Sequence, residues 1–96
     1  MSPKNKIKLN ILRKKLDKLD YQLLKTIKKR TEIVKKVLTL KSYKKEIIDK
    51  KSISVILKKI KKESLKRNID PKITNHIWRA IIGSSIDYEK RNFKKR

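Results

Sequence analysis

From about Ile7 to about Lys41 no Gly or Pro interrupts the chain, and its apolar residues recur in alternating steps of three and four. Leu9, Leu12, Leu16, Leu19, Leu23, Ile33, Val37 and Leu40 fall on this seam. The pattern is an a/d heptad repeat, which predicts one long helix with a single apolar edge. At 1.5 Å per residue such a helix runs for about 50 Å. It cannot fold back on itself, so the other helices or a second chain must cover its seam.

The remainder reads as two shorter helices. Gly83 is the only Gly and Pro3 and Pro71 the only prolines, so hairpin turns are nearly excluded. Residues 42–48 read as a connection. A second helix starts near Asp49 or Ser52, either of which can cap it, and buries Ile53, Ile56, Leu57 and Ile60. Asn68 is a suitable left-handed terminator. Asp70-Pro71 then combines a cap with a proline at the first helical position, and a third helix runs to about Arg91. Its stripe is Ile73, Ile77, Ile81 and Ser85, with Trp78, Ile82 and Ile86 beside it. The predicted fold class is all-α: a single three-helix domain over residues 1–96. Residues 1–6 read as a frayed start and residues 92–96 as a basic tail.

Composition narrows the chemistry. The 96 residues contain no Cys, which excludes disulfides and thiol catalysis and suits a reducing compartment. One His and nine acidic residues make a protein-only metal site a poor expectation. No apolar run is long enough to span a bilayer, so the expected location is cytoplasmic, with no membrane partner. The net charge of +22 invites a polyanion. Yet Lys and Ile are enriched throughout while Gly and Ala occur once each, a bias that places cations wherever the surface tolerates them. Only five residues are aromatic and none forms a stacking platform, so nucleic acid is not the expected partner.

Two seam positions, Thr26 and Arg30, are not apolar. A charge there costs stability unless it is paired or binds something. A buried ion pair, a register-setting polar residue and a ligand site all remain open for Arg30. Lys41 lies eleven residues on, about three turns and about 16 Å along the axis, so both side chains share a face. Arg13 lies about 25 Å before Arg30, too far for one small ligand within one chain. In an antiparallel pair of long helices, Arg13 of one chain would approach Arg30 and Lys41 of the other. The spacing is consistent with a site for a small dianion between two subunits.

These residues resemble the first helix of the all-helical (type II) chorismate mutases. The likeness rests on the run from Leu12 through Arg13 to Asp20, then Leu23-Leu24, Lys29-Arg30 and Lys41. Asp70-Pro71 through Trp78-Arg79-Ala80 to Ser85 and Glu89 resembles their third helix. The resemblance implies an intertwined homodimer and a cofactor-free isomerase that converts chorismate to prephenate in the shikimate pathway, toward phenylalanine and tyrosine. It assigns Arg13 to a substrate carboxylate across the dimer and Arg30 to the other carboxylate. It assigns Lys41 and Glu89 to the ether oxygen of the breaking bond, and Ser85 to substrate binding. The match departs at the second helix, where many members have an Asp, then an Arg and a Glu. This chain has Asp49, which fits a helix cap and a substrate-binding residue equally, then Ser52, a candidate substrate-binding residue, and Ile53. Lys51 could supply a cation there, but as a point charge and not a fork. Ile53 cannot hydrogen-bond. Some relatives, including the isochorismate pyruvate lyases, also carry an apolar residue at that point. An isochorismate pyruvate lyase or an aminodeoxychorismate mutase on the same scaffold is therefore the rival reading, and a basic helical nucleic-acid-binding protein is the rival from a different class. His76 has no companion ligand or nucleophile and reads as a surface residue.

Overall fold

The computed structural model describes residues 1–94; the expectation of a basic tail falls partly outside them, at Lys95 and Arg96. Among the described residues the chain is all-helical. The order is α1 (Pro3–Thr39), a 3-10 turn (Lys44–Ile47), α2 (Lys50–Lys66) and α3 (Pro71–Asn92). It divides into two compact units, Met1–Ile33 and a second that begins at Val34.

The first unit is the greater part of α1. The helix begins four residues earlier than the seam predicts, because Ser2 caps it. The Ser2 hydroxyl oxygen accepts from the Asn5 amide at 3.1 Å, and Pro3 takes the first helical position. Ser2-Pro3 is thus the same cap-and-proline signal as Asp70-Pro71. The apolar seam is present as predicted but lies open: α1 contains no buried residue, and Leu16, Leu19, Leu23 and Ile33 are each more than half exposed.

In the second unit α1 stops at Thr39, two residues short of expectation. The Leu40 and Lys41 amides donate to Val37 and Leu38 carbonyls, a tightened turn that carries Lys41 off the helix. The 3-10 turn lies within the predicted connection. Its Ile47, 4% exposed and packed in the turn that contacts α3, is the one fully buried hydrophobic residue among those described.

Both caps of α2 appear as read. Asp49 accepts from the Ser52 amide at 3.0 Å. At the other end Asn68 adopts φ 55°. The Ile69 amide reaches the Ser64 carbonyl and the Asn68 amide that of Leu65, the bond pair of a Schellman stop. Asp70 caps α3 through the Lys72 amide at 2.9 Å.

Helices α2 and α3 pack on each other. Ile53, Ile56, Leu57 and Ile60 are half-buried, as are Trp78, Ile81, Ile82, Ser85 and Ile86. The predicted stripe on α3 needs correction: Ile73 and Ile77 are exposed, and the inward face is the flank that carries Trp78, Ile82 and Glu89. Near the α2–α3 turn the contact is polar. The Ser64 and Thr74 hydroxyls, both buried, lie 2.7 Å apart, and Ser64 also donates to the Ile60 carbonyl. The Thr74 hydroxyl also reaches the Pro71 carbonyl of its own helix, so both buried hydroxyls are satisfied by each other and by local backbone.

Candidate active site

The second unit brings together two of the residues singled out in the sequence. Lys41 follows the end of α1, and Glu89 lies in the last turns of α3. The Lys41 ammonium donates to both carboxylate oxygens of Glu89, at 3.1 Å to Oε1 and 3.0 Å to Oε2. Glu89 is 5% exposed, and the Lys41 side chain is 19% exposed. A two-oxygen contact of this kind is charge-assisted, and burial on the carboxylate side shields it from salt and water. The surface pairs Arg91–Asp87 and Lys66–Glu63 are much more exposed and contribute little.

Ser85 is half-buried, one helical turn before Glu89 and on the same face of α3. A pocket of about 560 Å³ adjoins Lys41. It is lined by Lys35, Leu38 and Thr39 from α1, Tyr88 and Asn92 from α3, and Phe93 and Lys94 after it. Phe93 and Tyr88 are half-buried. The sequence assigned Phe93 to a solvated tail; a lone aromatic in a basic run was the available signal.

Asp49 and Ser52 are engaged with each other. Besides the capping bond, the Ser52 hydroxyl donates to Asp49 Oδ2 at 2.9 Å. The Ser52 amide, then the Ser52 hydroxyl, hold the Asp49 carboxyl below its ordinary value, and the positive charge of Lys41 adds to the effect. Asp49 therefore does the work of a helix cap, and the Ser52 proton is spent on it. A depressed carboxyl stabilises the fold above its unfolded pKa, and that stabilisation disappears as pH falls through the folded value. Asp49→Ala should therefore lower the melting temperature at neutral pH, and the gap from wild type should close below about pH 3.8. Thermal melts followed by circular dichroism across pH check it. A gap that stays constant into acid would show that the carboxylate is not the source.

Arg13 and Arg30 belong to the first unit. Arg13 is exposed, and Arg30 is half-buried on a helix where most residues are exposed. Among the described residues no group of three or more His, Cys, Asp or Glu could hold a metal ion. No described helix is long and apolar enough to cross a membrane.

The chemical content of the second unit is thus a Lys–Glu pair with a buried carboxylate, beside a partly apolar pocket. Such a pair can donate hydrogen bonds or stabilise charge on a ligand oxygen. No curated protein and no solved structure matches the chain. Residues 12–90 match the family described as chorismate mutase type II, a span that holds Arg13, Arg30, Lys41, Asp49, Ser52, Ser85 and Glu89, and the chain belongs to that family.

Proposed function

We propose that the protein is a chorismate mutase that rearranges chorismate to prephenate in a site shared by two copies of the chain. The observation that carries this reading is the Lys41–Glu89 pair, whose carboxylate is buried. It places an ammonium and a carboxyl side by side at the two positions to which the family resemblance gives the ether oxygen. The reaction is intramolecular and pericyclic. It needs no nucleophile, metal or proton transfer, only a compact dianionic conformer and stabilisation of charge developing on one oxygen. Arg13 and Arg30 are the proposed carboxylate forks, Ser85 assists binding, and Lys41 and Glu89 donate to the ether oxygen. Asp49 supports the site by capping α2 and through its charge near Lys41. Ser52 acts through Asp49.

The homodimer is supported by the open seam. Full burial of a Leu or Ile side chain contributes about 1.5–3 kcal/mol, and a run of eight leaves a large driving force for covering this edge. An antiparallel copy of α1 has a matching repeat.

The product assay is decisive. Purified protein should consume chorismate and yield prephenate. Salicylate and pyruvate from isochorismate would instead establish the lyase reading, with which the apolar Ile53 is consistent.

Glu89 now accepts from the Lys41 ammonium through both its oxygens, and a carboxylate only accepts hydrogen bonds. Glu89→Gln puts a permanent donor at that position and should keep kcat for chorismate within about tenfold of wild type or raise it. A loss as large as that of Lys41→Ala would remove direct donation at this position.

A further inference from the structure

The proposed enzyme uses three cations, Arg13, Arg30 and Lys41, whereas the chain has 31 Lys and Arg against nine acidic residues. The surplus is not spread evenly. From Lys50 to Arg67, α2 and its C-cap residue hold eight basic residues and one acidic residue, Glu63. Over its 22 residues α3 holds only four basic residues, with two acidic ones.

On α2 the basic residues are sorted by face. Ile53, Ile60 and Ser64 turn inward. Lys51, Lys58, Lys62 and Lys66 lie on the opposite side, all exposed. The last three recur every four residues, a step of about 6 Å along the axis. Neighbouring phosphates along a nucleic-acid strand are separated by a comparable distance. The only acidic residue of α2 lies 3.8 Å from the Lys66 ammonium and is shared with Arg67, so most of the row is not neutralised within the helix.

We infer that the outward face of α2, through Lys51, Lys58, Lys62 and Lys66, docks on the phosphate backbone of duplex nucleic acid without reading its sequence. Lysines act as point charges and lack the fork that reads guanine, so contact is with phosphates. With no aromatic side chain on α2, single strands gain no stacking there. A membrane surface fits less well. An interfacial helix inserts its apolar face, and that face of α2 is packed on α3.

The test is fluorescence anisotropy with a labelled random-sequence 20-base-pair DNA duplex and the full chain, at several salt concentrations. Wild type should bind, with log K falling linearly against log salt. The quadruple variant K51Q/K58Q/K62Q/K66Q should lose at least about tenfold in affinity at 0.1 M salt, and its slope should shrink by about three. The matched variant K14Q/K15Q/K25Q/K28Q on α1 removes the same charge and should lose much less. The Lys→Arg quadruple on α2 keeps the charges and should retain binding. The inference is overturned if both Gln quadruples weaken binding equally, which would mean a diffuse charge effect. Tighter binding to phosphatidylserine vesicles than to the duplex would also overturn it, as would no binding at 0.1 M salt.

Discussion

Lys41→Ala is expected to lower kcat/KM for chorismate by about 10²–10³-fold, the usual effect of removing one donor from an oxyanion-stabilising site. The loss should appear mainly in kcat, because charge on the ether oxygen develops only in the transition state. Arg30→Ala should lose a similar factor, but with a large rise in KM, since a carboxylate is bound in the ground state as well. The two substitutions also differ in stability. Truncating Lys41 leaves Glu89, 5% exposed, without the ammonium that now donates to both its oxygens. An uncompensated buried carboxylate is costly, so Lys41→Ala should melt lower than wild type. Lys41→Gln separates the effects: its amide still donates to Glu89 and should recover stability without restoring the positive charge. Steady-state kinetics and thermal melts on the same preparations read both. Full activity in Lys41→Ala would dismiss Lys41 from the chemistry.

The second large effect concerns the seam. Replacing Leu16 and Leu23 by Glu puts two carboxylates on an edge that is now apolar and more than half exposed in the single chain. If a second copy covers that edge, each substitution forfeits about 1.5–3 kcal/mol of burial and adds the cost of desolvating a charge. The dimer should then weaken by at least about 10³-fold, giving a monomer by sedimentation at micromolar concentration. Activity should vanish with it, because each site needs Arg13 of the partner. An active monomer would remove the shared site. An unchanged dimer would show that another surface joins the chains.

Much of the fold was legible because its punctuation is local. Asp49, Asn68 and Asp70-Pro71 each act through bonds to residues within five positions, and all three did what their types dictate. Ser2-Pro3 carries the same signal, but the apolar seam drew the boundary to Ile7. The face of α3 was harder to read. Two apolar stripes share that helix, and only packing on α2 decides that Ile82 turns inward while Ile73 and Ile77 do not. The Ser64–Thr74 contact was invisible, since neither hydroxyl advertises its burial in sequence.

The site divides along the same line. Lys41 and Glu89 are 48 residues apart, and no periodicity connects them; only the family pattern suggested they meet. The seam placed Arg30 and Lys41 on one helical face, but Lys41 leaves the helix before its predicted end. Asp49 fitted two roles equally in sequence, and its bonds to Ser52 show the capping one.

Co-refolding Arg13→Ala chains with Arg30→Ala chains probes the shared cavity most directly. Each variant alone should be nearly inactive. Random assortment makes half the dimers mixed, and each mixed dimer has one site with both guanidinium groups, so about a quarter of wild-type turnover should return. A mixture as inactive as its parents, once subunit exchange is verified by mass, would contradict a site built from two chains.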